Sequence, residues 1–248
     1  MPSGLALSDR LNGDVNIRAA GQQREYAAVV ERIADDHPQK ILDWGCGWGH
    51  ISHALLERGF EVSSTDYSPA EPGHRRSDHF PDVDIDYLSD PVALPFEDGA
   101  FDAVLSLGVL EHVADPAASL DELHRVLRPG GTLYVYKLPN RYSWLEWLAR
   151  RLGLAYHGMR PEDTLYTEQS AVRLVEAHGF AVESARLANM LPLTLPGKLA
   201  SRLSGVIWAL NRVLASVPGL NRLATNVELI ATRREVSPHR TRRFVARR

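Results

Sequence analysis

The sequence predicts an α/β protein with a doubly wound, mostly parallel sheet. Five apolar segments of strand length alternate with segments whose apolar residues recur at helical spacing. A glycine-rich turn follows the first strand at Gly45, Gly47 and Gly49, where the chain passes from strand to helix. With 248 residues, 44% of them hydrophobic, the chain can bury a substantial core in one elaborated domain.

The elements follow from periodicity and from the residues that bound them. Helices are predicted over residues 22–34, 48–58, 116–127 and 167–178. Strands are predicted to end near residue 42 and to cover residues 60–65, 83–88, 101–108, 132–138, 180–187 and 226–232. Pro38 ends the first helix, Gly59 serves as a C-cap of the second, and Thr167 is placed as the N-cap of the last.

Two segments depart from this regular alternation. Residues 68–80 contain Pro69, Pro72 and Gly73 where a helix is expected, so a loop is predicted there. Residues 188–225 form a long insert in which leucines and valines are interspersed with basic residues, and helices are predicted. Packing against the sheet, a cap over an apolar acceptor, a dimer contact and a peripheral membrane patch all remain open for this insert.

The glycine turn predicts a ligand at residues 45–50. Glycine has no Cβ, so a ligand can approach the main chain, and the helix that starts there favours a negative or polar group. The dinucleotide pattern G-x-G-x-x-G would place its third glycine at position 50, which is His50. The spacing therefore argues against a dinucleotide fold.

The turn instead reads D-x-G-x-G-x-G, from Asp43 to Gly49. This pattern resembles the class I methyltransferases that use S-adenosylmethionine, whose product is S-adenosylhomocysteine. The resemblance implies a Rossmann-like seven-stranded sheet of order 3-2-1-4-5-7-6, with the last strand antiparallel and helices on both faces. It also implies which residues hold the methionine end of the cofactor: Asp43, Gly45, Cys46, Gly47 and Gly49.

Two further acidic residues are candidates for the cofactor's nucleoside. Asp66 ends the second strand, where a carboxylate can accept hydrogen bonds from both ribose hydroxyls, and Tyr67 follows it. The segment from Asp90 through Leu94-Pro95-Phe96 to Phe101-Asp102 is similar to the quinone-biosynthesis branch of the family. That resemblance implies that Asp90 accepts the adenine amino group and that Pro91 lines the ring. A turn or capping role for Asp90 is the alternative.

The candidate catalytic residues follow the fourth predicted strand. Ligands of open parallel sheets lie beyond the carboxyl ends of the strands, so residues 107–112, beginning at Leu107, should face cofactor and acceptor. The sequence from Val109 to Val113 also resembles the family. His112 can remove a proton from an acceptor hydroxyl near neutral pH, or it can hydrogen bond the next loop. For Glu111 the same two roles are open, either contact with the acceptor or a hydrogen bond to the next loop.

The resemblance covers about residues 40–138, and the acceptor region follows it. Asn140, Arg141 and Tyr142 come directly after the fifth predicted strand, so we expect them to touch the acceptor. His157 is a candidate lid or acceptor residue. No metal site is predicted, because the His and Asp residues of segment 68–80 show no regular ligand spacing.

The predicted function is methyl transfer from S-adenosylmethionine to a small molecule, at a hydroxyl of a sugar, quinol, phenol or lipid-linked metabolite. The alternatives are a non-catalytic partner that binds the cofactor, and an RNA methyltransferase. Methylation of a base amino group is disfavoured, because residues 106–109 lack the D/N-P-P-Y/F/W motif. The net charge of −3 gives no support for a DNA-binding protein.

The sequence also predicts the domain organisation and the cellular compartment. A single methyltransferase domain is predicted over residues 1–235, with a core at 22–138, an acceptor region at 139–225 and a last strand at 226–232. Residues 236–248 form a basic tail. Cys46 is the one cysteine, so an internal disulfide is excluded, and no signal-peptide segment is recognised at the N-terminus. A cytoplasmic location is therefore expected.

Overall fold

The computed structural model describes residues 19–152, 163–193 and 198–235. Its strands are β1 (Lys40–Trp44), β2 (Glu61–Tyr67), β3 (Gly73–Arg76), β4 (Asp84–Leu88), β5 (Phe101–Leu107), β6 (Leu127–Pro139), β7 (Phe180–Ala188) and β8 (Asn226–Arg233). Its α-helices are α1 (Ala20–Asp35), α2 (His50–Leu56), α3 (Pro116–Val126), α4 (Trp144–Arg151), α5 (Glu168–Ala177) and α6 (Lys198–Ser216). A 3-10 helix, Leu220–Leu223, precedes β8. The basic tail and His157 lie outside the described residues.

The strands form one sheet in the order β3-β4-β2-β1-β5-β6-β8-β7. The pairs from β4 to β6 are parallel, whereas β8 runs antiparallel to both β6 and β7. The predicted order of seven strands is confirmed, and β3 adds an eighth at the edge. β1 lies between β2 and β5, so its carboxyl end is the point where the chain direction across the sheet reverses.

The prediction of a loop over residues 68–80 is wrong for Gly73–Arg76. This segment pairs antiparallel with β4. Opposite charges face each other across the pair: His74 contacts Asp86 at 2.6 Å and Arg76 contacts Asp84 at 3.4 Å. Such cross-strand pairs stabilise an edge strand that has no core face of its own. The alternation of strands and helices favours a helix in this segment, and the segment lacks helical periodicity. Its basic side chains are nevertheless complementary in charge to the acidic side chains of β4.

The core consists of two apolar layers, one on each face of the sheet. Side chains of α1 and α2 pack on one face, against strand residues such as Ile41 and Leu105. Side chains of α3 and α5 pack on the other face, against residues such as Val104 and Leu133. Leu105 and Val104 are adjacent and wholly buried on opposite faces. A strand buried on both faces explains the continuous apolar run that predicted β5.

Helix and strand starts are set by side-chain hydrogen bonds to the main chain. Thr167 caps α5, accepting from the Ser170 N–H at 3.0 Å while the Ser170 hydroxyl accepts from the Thr167 N–H, so the predicted N-cap is confirmed. Asp115 caps α3 in a similar way, accepting from the Ala118 N–H at 2.9 Å. At the amino end of β1, the Asp102 carboxylate accepts from the Lys40 N–H at 2.8 Å.

The insert forms α6, which packs on α1. The Arg24 Nε donates to the Ser204 Oγ at 3.2 Å. Asn211 Oδ1 accepts from the N–H groups of Met190 and Leu191 at 2.7 and 2.6 Å. One side of α6 therefore packs against α1 and the loop after β7, whereas the packing considered from the sequence was against the sheet. None of the described helices is long and apolar enough to cross a membrane.

We expect Thr167→Ala to lower the free energy of unfolding by about 1 kcal/mol, because the hydrogen bond from the Ser170 N–H to the Thr167 hydroxyl at the start of α5 is lost. Urea unfolding followed by circular dichroism measures this change. Thr167→Ser keeps the hydroxyl and serves as the control. Equal stability of the alanine and serine variants would contradict the capping role.

Candidate functional site

The five parallel strands β4, β2, β1, β5 and β6 end at one edge of the sheet. The residues predicted to bind cofactor and acceptor follow these strand ends in the sequence. We call this the carboxyl edge. Sequence neighbours and residues far apart in the chain therefore meet there, as expected for an open α/β sheet.

The three glycines of the turn have different surroundings. All three have positive φ, at 73° for Gly45, 55° for Gly47 and 82° for Gly49. A Cβ at Gly45 would lie 2.4 Å from Cγ2 of Val109, and one at Gly49 would lie 2.8 Å from Cγ1 of Val83. A Cβ at Gly47 would meet nothing within 4 Å. Gly45 and Gly49 are thus needed for packing, whereas Gly47 leaves main chain open to a ligand.

The turn is anchored to the end of β2. The Thr65 carbonyl accepts from the N–H groups of Gly45 and Cys46, both at 2.9 Å. Burial raises the pKa of the Cys46 thiol, and the charge of Asp43 raises it further. This cysteine therefore stays protonated and packs as a small apolar group.

Asp43 lies beneath the turn and is 3% exposed. Its Oδ2 accepts from the Ser52 hydroxyl at 2.6 Å, and the Ser52 hydroxyl in turn accepts from Ser64 at 2.8 Å. Burial raises the pKa of Asp43 to about 6, partly opposed by the Ser52 hydrogen bond. The structure therefore places Asp43 as a support of the turn. Sequence reasoning missed Ser52 and Ser64, which carried no signal beyond being small polar residues in buried elements.

Asp66 lies at the end of β2 and is partly buried. Its Oδ1 accepts from the Tyr67 N–H at 2.7 Å. Burial raises the pKa of Asp66, and hydrogen bonds from the main chain of Tyr67 and Gly47 oppose that rise. The Gly47 contact joins this carboxylate directly to the open part of the turn. Tyr67 is 53% exposed beside it.

Asp90 follows β4 and closes a turn. Its Oδ1 accepts from the N–H groups of Val92 and Ala93, at 2.8 and 2.9 Å. The hydrogen bond from Ala93 lowers the pKa of Asp90 most, and the hydrogen bond from Val92 lowers it further. The turn role that the sequence left open is therefore present, and both Asp90 and Pro91 are exposed. An adenine contact by these two residues stays a prediction.

Glu111 is the most deeply buried acid of the carboxyl edge, at 1% exposure. Its Oε2 is buried without a hydrogen-bond partner within the described residues. Burial raises the pKa of Glu111 to about 7, while the charge of His112 lowers it and that of Asp163 raises it. A carboxyl group in this state can accept or donate a hydrogen bond near neutral pH. Leu107, at the end of β5, is half-buried against the core.

His112 lies between two carboxylates. Its Nδ1 is 2.7 Å from Oδ1 of Asp163, and its Nε2 is 3.7 Å from Oε1 of Glu111. The imidazole is 41% exposed, whereas the Asp163 side chain is 6% exposed. The imidazole is therefore oriented by a buried acid and remains accessible to a ligand. Sequence reasoning assigned no role to Asp163, because it lies 51 positions from His112.

Lys137 is a second residue that sequence reasoning missed. It adopts a positive φ of 65° within β6, where the pairing with β8 shifts register. Its Nζ is 3.3 Å from Oε2 of the buried Glu25, and its charge lowers the pKa of Glu111. Strained main chain in a non-glycine residue is typical of functional sites. Lys137 thus links α1 to the carboxyl edge by charge.

The predicted acceptor residues differ in availability. Asn140 is 1% exposed, and its Nδ2 donates to the carbonyls of Arg222 and Ala224 at 2.9 and 2.7 Å. Its amide thus secures the main chain before β8, a structural role in place of the expected acceptor contact. Arg141 and Tyr142 are exposed, Tyr142 to 61%. His157 lies outside the described residues, so its acceptor role stays a prediction.

Within residues 19–152, 163–193 and 198–235, no group of three or more His, Cys, Asp or Glu side chains could hold a metal ion. The acidic residues of the carboxyl edge are instead separated by the strands that carry them. Asp43 is enclosed, Asp66 contacts main chain and Glu111 faces His112.

A family model described as a methyltransferase domain matches residues 18–185. A demethylmenaquinone methyltransferase of Thermus thermophilus is 39% identical over 115 residues, which are 45% of this chain and 52% of that protein. A ubiquinone biosynthesis O-methyltransferase of Pseudomonas aeruginosa is 36% identical over 100 residues, which are 39% of this chain and 43% of that protein. The chain thus spans about half the length of these relatives.

The fold is shared with solved structures. One is the 1,6-didemethyltoxoflavin-N1-methyltransferase of Burkholderia thailandensis with bound 1,6-didemethyltoxoflavin and S-adenosylhomocysteine. Its TM-score is 0.55 at 17% identity, covering 94% of this chain and 89% of that chain. At this identity the likeness shows the fold alone.

The glycine turn gives a paired prediction. We expect Gly45→Ala to lower the free energy of unfolding by about 2–4 kcal/mol, because the left-handed φ and the contact with Val109 both oppose a Cβ. Gly47→Ala should cost about 1 kcal/mol of stability but lower the affinity for S-adenosylmethionine about tenfold. Urea unfolding and isothermal titration calorimetry measure the two effects. Unchanged affinity of a folded Gly47→Ala protein would contradict a ligand at the turn.

The buried Glu111 predicts a pH-dependent stability. Its pKa is raised from 4.5 to about 7, so its protonated form stabilises the fold below pH 4.5. This contribution is lost as pH rises through about 7. Glu111→Gln should therefore gain stability relative to the unmodified protein between about pH 5 and pH 8, by up to about 3 kcal/mol. Urea unfolding at the two pH values measures the gain.

Glu122→Gln is a control for that experiment. The hydrogen bond from Arg125 lowers the pKa of Glu122, so its carboxylate stabilises the fold above pH 4.5. Its replacement should therefore lower the stability by nearly the same amount at about pH 5 and at about pH 8. A Glu111→Gln difference that is independent of pH would show that Glu111 keeps its charge in the folded protein.

Proposed function

Because the chain belongs to the methyltransferase-domain family of class I, S-adenosylmethionine-dependent enzymes, we propose that it transfers a methyl group to a hydroxyl of a small molecule. The observation that carries this proposal is the position of His112. Its accessible imidazole lies at the carboxyl edge, hydrogen bonded to Asp163 and close to Glu111. A proton acceptor oriented in this way is what a hydroxyl needs as it is methylated.

Two observations of the carboxyl edge fit S-adenosylmethionine. The open space at Gly47 leaves main chain accessible, as the methionine end of the cofactor requires. The partly buried Asp66 contacts the same turn, so it can accept hydrogen bonds from ribose hydroxyls next to that end. Asp90 and Pro91 would then lie near the adenine, with Asp90 held by its turn.

When bound, S-adenosylmethionine supplies a methyl group activated by a positively charged sulfur. The residues of this chain orient the acceptor and take its proton. His112 Nε2 accepts the hydroxyl proton, because Nδ1 is engaged by Asp163. The imidazolium that results lies between the carboxyl groups of Asp163 and Glu111, which stabilise its charge. Tyr142 is exposed and available to contact the acceptor.

The acceptor class follows from the relatives and from the edge itself. The names of two relatives refer to menaquinone and ubiquinone methylation, which supports a small organic acceptor. The described edge carries the exposed rings of Tyr67 and Tyr142 together with the carboxyl groups of Asp66 and Asp90. We therefore propose a sugar, quinol, phenol or lipid-linked hydroxyl as acceptor, in a single methyltransferase domain that acts in the cytoplasm.

The test is transfer of labelled methyl from S-adenosylmethionine into a metabolite extract of the cells that make the protein. The extract is then partitioned between organic and aqueous phases. We expect His112→Ala to lower the rate about 100-fold with cofactor affinity unchanged, since a general base contributes that much. Asp66→Ala should instead lower cofactor affinity at least tenfold, because hydrogen bonds to a charged group are lost. Label in the organic phase indicates a quinol or lipid, and label in water indicates a polar acceptor.

His178→Ala is the matched control for the histidine variant. Its Nδ1 is 2.6 Å from Oδ1 of Asp121, so it forms the same kind of pair, but at the end of α5. Transfer by this variant should equal that of the unmodified protein. Equal loss in both histidine variants would show a general effect on stability. Absence of label with cofactor binding intact would contradict methyl transfer, as the non-catalytic alternative requires.

A further inference from the structure

An exposed apolar stripe runs along α6 and the residue after it. Its members recur at alternating intervals of four and three residues. They are Leu199, Leu203, Val206, Leu210, Val213 and Val217, each exposed between 41% and 69%. At 100° per residue these positions remain on one side of the helix. We call this set the α6 stripe.

The α6 stripe is not the side of the helix that packs on the domain. That side carries Ser204 and Asn211, which are 3% and 2% exposed and bond to Arg24 and to the main chain of residues 190–191. A surface helix normally places its leucines and valines toward the core. In α6 the two buried side chains among those described are polar, whereas the leucines and valines of the α6 stripe face outward. An apolar surface of this extent marks an interaction site.

The charge around the α6 stripe has one sign. Residues 189–227 contain Lys198, Arg202, Arg212 and Arg222 and no acidic residue, although the whole chain carries a net charge of −3. A second copy joined through the same surface would bring these basic residues together. A partner with negative charge is favoured instead.

α4 carries a second exposed apolar surface, and α4 and α6 bond to the same loop. Trp147 and Leu152, in and after α4, are 59% and 62% exposed, and the Arg151 guanidinium lies 5.2 Å from the centre of the Trp147 ring. The Trp144 Nε1 of α4 donates to the Met190 carbonyl at 2.7 Å, and Asn211 of α6 bonds the N–H of the same residue. Tryptophan and arginine beside aliphatic residues are typical of a surface that lies at a membrane interface.

We propose that the α6 stripe docks the protein onto the surface of an anionic lipid bilayer. α6 lies parallel to the bilayer, its leucines and valines enter the boundary between headgroups and acyl chains, and Lys198 and Arg202 contact negative headgroups. Its 19 residues span about 29 Å, long enough for a helix that lies in the interface. Docking requires neither cofactor nor acceptor, so its test is independent of the proposed function.

Co-sedimentation of the full chain with lipid vesicles tests this proposal. Vesicles of phosphatidylcholine with about one quarter phosphatidylglycerol are compared with vesicles of phosphatidylcholine alone, in about 0.1 M salt. We expect binding to the anionic vesicles at least tenfold tighter, and release as the salt is raised to about 0.5 M. The double variant Lys198→Gln/Arg202→Gln should bind at least tenfold more weakly.

A matched pair of variants separates apolar insertion from charge. Val206→Asp/Val213→Asp adds two negative charges on the α6 stripe, and Ser201→Asp/Ser216→Asp adds two at exposed positions elsewhere on the same helix. The valine variant should bind at least tenfold more weakly than the serine variant. Thermal melting by circular dichroism verifies that both are folded.

Three results would overturn the proposal. The first is sedimentation that does not depend on vesicles, and the second is an equal loss of binding in the valine and serine variants. The third is a dimer in light scattering without lipid that Val206→Asp/Val213→Asp converts to a monomer, which would show that a second copy covers the α6 stripe.

Discussion

A buried chain of hydrogen bonds from Ser64 through Ser52 to Asp43 joins β2, α2 and β1 beneath the glycine turn. Because unpaired polar groups are costly in the interior, this chain restrains the relative positions of the three elements. The turn above it can then hold left-handed main chain at Gly45 and Gly49 against packed valines. The accessible stretch at Gly47 is a consequence of this support, and so is its contact with the Asp66 carboxylate.

The second part of the site depends on a segment that returns from far along the chain. The Thr164 N–H donates to the Glu111 carbonyl at 2.9 Å, and the Tyr166 N–H donates to the Pro139 carbonyl at 2.9 Å. These bonds tie residues 163–166 to the ends of β5 and β6, which brings Asp163 to His112. The orientation of the imidazole is thus set by main-chain hydrogen bonds from a segment outside the loop that carries His112. Burial of Glu111 beside it keeps a carboxyl group that can change its protonation near neutral pH.

The insert, residues 188–225, contacts the carboxyl edge at its end and carries the exposed α6 stripe. Asn140 joins the end of β6 to the main chain of residues 222–224, so the end of the insert is fixed to the carboxyl edge. Asn211 fixes α6 to the loop after β7 in a similar way. With its polar side held by these contacts, α6 presents its apolar side outward. Two buried amide side chains therefore contribute to holding this part of the molecule in place.

The sequence by itself determined the parallel strands, the glycine turn and the place of Asp66, because strand periodicity, Cβ-free turns and strand-end position are local properties. The tertiary structure alone decided β3, since the charges that pair it with β4 act across strands. It also decided the structural role of Asn140, the pairing of His112 with Asp163 and the outward direction of the α6 stripe. Each of these depends on contacts between residues distant in the chain, which periodicity does not encode.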